Sequence, residues 1–79
     1  MKELLTYLAK SLVRFPDEVV VTEKVLEDNT LEYTLKVNPE DMGRVIGKNG
    51  KTAQALRMLV SARGSLEKKR TRVEIEQES

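Results

Sequence analysis

The chain opens on leucines at helical spacing. Leu4, Leu5, Leu8 and Leu12, with Lys2, Glu3, Thr6 and Lys10 between them, predict an amphipathic helix over about 2–14. Phe15-Pro16 ends it, because the residue before a proline avoids the α region. The next run, EVVVTEKVL, is rich in β-branched residues and predicts a strand over about 18–26. Asp28-Asn29 has turn chemistry. In LEYTLKV, Leu31, Tyr33, Leu35 and Val37 alternate with Glu32, Thr34 and Lys36, the pattern of a half-buried strand closing a hairpin with its predecessor.

A helix start follows. Asn38 is a capping residue, Pro39 suits the first helical position, and Glu40 and Asp41 favour the positive end of the helix. Met42, Val45 and Ile46 form the apolar side of this short helix, which Gly47 ends. A second helix begins near Lys51, with Ala53, Leu56, Leu59 and Val60 as its buried stripe and Gly64 as its stop. A basic loop over about 65–70 leads to a last strand, with Val73 and Ile75 inward and Arg72, Glu74 and Glu76 outward.

The order is therefore α-β-β-α-α-β, an α+β fold. Two antiparallel hairpin strands and a third reached by a helical crossover make a three-stranded mixed sheet, with three helices on one face. At 79 residues the chain reads as one domain, 1–79.

Composition changes the picture mainly by exclusion. With no cysteine and no histidine, the usual nucleophile–base pairs and the usual zinc ligands are missing. The acid pairs Asp17-Glu18 and Glu40-Asp41 sit where turn and helix-start roles suffice. The chain thus reads as non-enzymatic, with no catalytic residues, no metal, no cofactor and no small-molecule substrate. No apolar run approaches the ~20 residues of a membrane span. MKELLTYLAKSL lacks the apolar region and cleavage site of a secretory signal, which predicts a cytoplasmic protein without a membrane partner.

The net charge of +1 hides an uneven distribution. Residues 1–41 carry nine acids and five bases, whereas residues 42–72 carry nine bases against Glu67 alone. A block of +8 within a nearly neutral chain points to a polyanion. The plainer reading is a solvated face.

The stretch VIGKNGK, residues 45–51, places Gly47 and Gly50 three apart with lysines in and beside the gap. A nucleotide-binding P-loop would need a glycine where Val45 stands, and a preceding strand. A helix-hairpin-helix element, a DNA binder, would usually have one residue between its glycines and a helical setting. Helix, GXXG, helix, strand, with a strand before them, instead resembles the KH domain, whose GXXG loop clamps the backbone of four nucleotides. An extra helix and strand at the N-terminus resemble its type II arrangement, with a β-α-GXXG-α-β core over about 30–76. Over nearly its whole length, through MKELLTYLAKSLV and NPEDMGRVIGKNGK, the chain resembles the KhpA family of small bacterial single-KH RNA-binding proteins. Its segment GSLEKKRTRVEIEQES is more charged than the family pattern.

Independently of the resemblance, Gly47 and Gly50 permit positive φ and close backbone approach. The amides opening the helix after Gly50 form an anion site with its dipole. Lys48 and Lys51 add charge, Arg44 lies one turn earlier, and Asn49 can donate to a phosphate or sugar. By resemblance, an apolar groove beside the clamp reads bases, lined by Ile46, Ala53 and Leu56; their helical spacing equally suits a core. Arg57, Arg72 and the run Lys68-Lys69-Arg70 either extend the cationic track or are solvated. Tyr7, Phe15 and Tyr33 read as packing, which argues against the aromatic platforms of RRM and OB surfaces.

The groove suits single-stranded RNA rather than a duplex. The resemblance implies a homodimer, a complex with a second KH protein of the KhpB (Jag) type, and service as an RNA chaperone or post-transcriptional regulator linked to cell shape. Met58 and its neighbours outside the buried stripe are the candidate interface. A protein-interaction subunit whose RNA contact is incidental is the competing reading.

Overall fold

The computed structural model describes residues 1–78. Helix α1 spans Lys2–Leu12 and buries Leu5 and Ala9, with Leu8 half-buried beside them. Leu4 and Leu12 lie at the exposed margin, so the stripe is set by Leu5 and Ala9 rather than by leucines alone. The helix stops two residues short of the expected Arg14. The amides of Arg14 and Phe15 donate instead to Oδ1 and Oδ2 of Asp41, at 2.9 and 3.0 Å. A 3₁₀ turn at Pro16–Glu18 delays the first strand, β1, which runs Val20–Val25 rather than from 18.

Strand β2, Leu31–Val37, buries Tyr33, Leu35 and Val37 on one face. It pairs antiparallel with β1, Val21 opposite Leu35, and parallel with β3, Thr71–Gln77, Val73 opposite Tyr33. The sheet order is β1-β2-β3, so the outer side of β3 is an edge. Asn38 caps a 3₁₀ turn at Pro39–Asp41, its Oδ1 accepting from the Glu40 amide at 2.8 Å. Helix α2, Met42–Ile46, and helix α3, Lys51–Leu66, then make the crossover to β3.

One core unites all six elements: Leu5 and Ala9, Val21, Tyr33, Leu35 and Val37, Val45, Leu56 and Val60, and Val73. Each fully buried leucine contributes about 2 kcal/mol by area. The opposite sheet face carries Lys24, Glu32 and Arg72 in register across the three strands. This is the α+β, type II KH arrangement, with a three-stranded mixed sheet and its helices packed on one face.

Helix α3 corrects two expectations. Its buried stripe is Ala53, Leu56, Val60 and Gly64, while Leu59 is half exposed. Gly64 is not the stop. It lies against β3, where a Cβ would come within 2.6 Å of Thr71 Cγ2 and 2.9 Å of Lys69 O, so the helix passes through it at close approach. The stop is at Lys68, whose φ of 58° places it in the left-handed region. The Lys69 amide reaches back to Gly64 O at 2.7 Å and the Lys68 amide to Ser65 O at 3.1 Å, a Schellman closure. Among the described residues, no helix is long and apolar enough to cross a membrane.

Candidate nucleic-acid interface

Gly47 ends α2 with φ 77° and ψ 173°, a conformation that side chains exclude. A Cβ there would also fall on Thr52, whose amide nitrogen lies 2.8 Å from its position. Thr52 thus lies flush against Gly47, a close approach that sequence reading missed. Lys48–Gly50 form a 3₁₀ turn, and Gly50, with φ 75° and ψ 12°, is left-handed. Asn49 is left-handed too, at φ 57° and ψ 26°. Asparagine tolerates that region better than most side chains. Its presence therefore has a backbone reason besides its amide.

The turn ties up the leading amide of α3. The amide of Gly50 donates to Gly47 O at 3.1 Å, and that of Lys51 to Lys48 O. Of the amides expected to point outward at the start of α3, the first, that of Lys51, is therefore engaged. This follows from the 3₁₀ geometry, whose first bond closes at Gly50. The amides of Lys48 and Asn49 come before that bond and have no acceptor within the turn. The positive end of the 16-residue α3 lies directly behind them.

The cations divide into free and tied. Lys48 and Lys51 are exposed, and among the described residues neither is in an ion pair; nor is Arg57. Arg44 sits 3.7 Å from the buried Asp41 carboxylate. Arg72 is tied to Glu74 at 2.7 Å and faces Glu32 at 3.8 Å.

A concavity of about 340 Å³ lies between the middle of α3 and the free edge of β3, lined by Arg57, Ser61 and Thr71 to Glu74. Arg57 Nε donates to Val73 O at 3.3 Å, which holds its guanidinium over the strand edge. Ile46 is 37% exposed. Ala53 and Leu56 are buried, and Leu56 belongs to the core; these two can form no more than a groove floor.

The aromatic residues split. Tyr33 is buried, and its hydroxyl finds no hydrogen-bond partner among the described residues. Burial, and then the Glu23 carboxylate beside it, push the Tyr33 phenol well above its ordinary range. Tyr7, expected to pack, is 71% exposed on α1, because Leu5 and Ala9 take the inward face. Among the described residues, no group of three or more acids or other ligands could hold a metal ion.

A family model described as KhpA/KhpB, KH domain matches residues 2–75. The curated RNA-binding protein KhpA of Clostridium acetobutylicum is 52% identical over 75 residues, covering 95% of this chain and 99% of that protein. The protein of the same description from Listeria monocytogenes is 49% identical over 75 residues, covering 95% of this chain and 97% of that protein. Among solved structures, Era in complex with MgGDPNP and nucleotides 1506–1542 of 16S ribosomal RNA superposes with a TM-score of 0.64 at 16% identity. That match covers 96% of this chain and 29% of Era. A single-residue variant of Aquifex aeolicus Era bound to GDP.AlF4⁻ gives 0.66 at 16% identity, over 98% of this chain and 30% of that one. At that identity the likeness bears on the fold alone.

Proposed function

This chain belongs to the KhpA/KhpB KH-domain family, and on that premise we propose that it binds single-stranded RNA without catalysis, gripping the backbone at residues 47–50. The observation that carries the reading is the loop itself. Two positive-φ glycines flank a turn whose leading amides, at Lys48 and Asn49, face away from any acceptor in the turn, at the positive end of α3. A phosphate seated there gains main-chain donors, the helix dipole, and the charges of Lys48 and Lys51, with Arg44 one turn behind. Gly47 keeps the approach open. Asn49, held left-handed, turns its amide outward toward a phosphate or ribose hydroxyl.

Bases splayed from the gripped backbone fall into the concavity between α3 and β3. Arg57 lines that concavity as a cation poised over the strand edge, while Ile46, Ala53 and Leu56, which do not line it, flank the loop and supply the apolar surface there. Splayed bases are open to such a concavity in a single strand and not in a duplex.

Three or so phosphate contacts make a weak, salt-sensitive site, with a log–log slope of about −2. Weak sites gain from being doubled. Helix α3 exposes Met58 (70%), Leu59 and Leu66 (80%), with Ala55 and Ala62, along one side. That apolar stripe supports self-association or pairing with a KhpB-type KH protein; service in the cytoplasm as an RNA chaperone or post-transcriptional regulator is proposed on the family membership alone.

The test replaces Lys48 and Asn49 by aspartate, with fluorescence anisotropy on random-sequence single-stranded RNA, a thermal melt and sedimentation. The expected result is a loss of binding of at least tenfold with fold and self-association retained. Unchanged RNA binding by this variant would overturn the loop reading and favour a protein-interaction subunit.

A further inference from the structure

The far end of α3 carries a second cluster of cations. Lys68, Lys69 and Arg70 are exposed, and among the described residues none of them is in an ion pair. They border a polar concavity of about 580 Å³ shared with Asp28 and Asn29 of the β1–β2 turn. Asp28 is the one acid there, and its carboxylate accepts from the Thr30 amide at 3.0 Å, a bond internal to its own turn. The nearby Glu67 is engaged by Arg63 at 3.1 Å. The corner is therefore net positive.

Two features set this corner apart from a solvated loop. First, the α3–β3 turn puts Lys68 in the left-handed region, where glycine is the least costly residue. A lysine there carries an unfavourable backbone conformation of roughly 1 kcal/mol. Second, the corner is continuous with the groove. Arg70 borders the cationic concavity, and its neighbour Thr71 borders the concavity beside Arg57. Because β3 leaves the turn and runs back along α3, the free strand edge forms one path. It leads from the basic turn past Arg57 toward the N-terminal end of α3, the end that carries the loop.

We infer that a single strand gripped at residues 47–50 follows this edge and is caught a second time, through its phosphates, by Lys68, Lys69 and Arg70. This rests on the RNA reading of the loop. Sixteen residues of helix span about 24 Å. At roughly 6 Å per nucleotide for a strand whose bases are splayed, the four nucleotides that a GXXG loop clamps already reach the turn, and the phosphates beyond them meet Lys68, Lys69 and Arg70.

The test compares wild type, the variant Lys68→Asn/Lys69→Gln/Arg70→Gln, and the variant Lys48→Asp/Asn49→Asp, on random-sequence single-stranded RNA 4-mers and 10-mers. Asparagine at 68 keeps the left-handed turn, and a thermal melt checks the fold. The turn variant is expected to bind the 10-mer about tenfold more weakly. Its salt slope on the 10-mer should flatten by about 2 for three lost contacts, while its 4-mer affinity stays within twofold. Equal loss on both lengths, or wild-type affinity for the 10-mer, overturns the second contact. The loop variant reports separately: if it binds both lengths as wild type does, the grip at residues 47–50 is what fails.

Discussion

Thr52 stands where a side chain on Gly47 would have to lie: a Cβ there would meet the Thr52 hydroxyl and come within 2.8 Å of its amide nitrogen. Gly50, three residues on, has open space around the same hypothetical atom. The two glycines of one motif are thus held by different constraints. Gly47→Ala meets both a forbidden backbone region and a packing clash, together about 3 kcal/mol. Gly50→Ala meets only the left-handed backbone penalty, about 1 kcal/mol. Urea unfolding of the two variants checks this, and equal losses would contradict it.

Asp41 ties two elements far apart in sequence. Fully buried, its carboxylate accepts the amides of Arg14 and Phe15 at the end of α1 while it leads into α2. Asp41→Ala strands those donors and is expected to cost about 3 kcal/mol. Hydrogen exchange should quicken first at Arg14 and Phe15, before the sheet loosens. Uniform acceleration across the chain would show that the pin is not local.

Tyr33 holds a buried hydroxyl without a partner among the described residues, and burial raises its pKa in the folded state. The sign follows from linkage. The unfolded chain releases the phenol proton near pH 10 while the folded chain keeps it. The contribution is therefore intact below about pH 10 and falls as pH rises above it, by up to about 1.4 kcal/mol per unit. Tyr33→Phe is expected to be close to neutral in stability at pH 7 and to flatten the decline between pH 10 and 11. A decline of wild-type steepness in Tyr33→Phe would assign it to other groups.

Lys68 offers a separation of stability from binding. Lys68→Gly relieves the left-handed strain and is expected to raise stability by about 1 kcal/mol, or 4–8 °C in Tm for a domain of this size. It also removes a cation from the basic turn, so affinity for a 10-nucleotide RNA should drop while Tm climbs. A melt that stays flat or falls would mean that the lysine stem supports the turn by packing.

Much of the fold was legible along the chain. The alternation of LEYTLKV, the Asn38-Pro39 start and the glycine pair each state a local demand: which face is apolar, which amide needs a cap, where φ turns positive. Such demands are met by residues within four positions of one another, so they survive in one dimension. The glycine at 64 misled because a glycine reads alike as a stop and as a close approach. Only the arrival of Thr71 against it distinguishes the two.

What the chain determined by itself is its element order and the position of the loop, since periodicity, capping and backbone freedom are properties of neighbours. What only the packed molecule decided is which amides that loop leaves unpaired, which leucines are spared from the core, and that Asp41 ends α1 from 27 residues away. These depend on contacts between segments that meet only once burial of the apolar faces has brought them together, and a carboxylate or a glycine carries no local mark of the partner it will find.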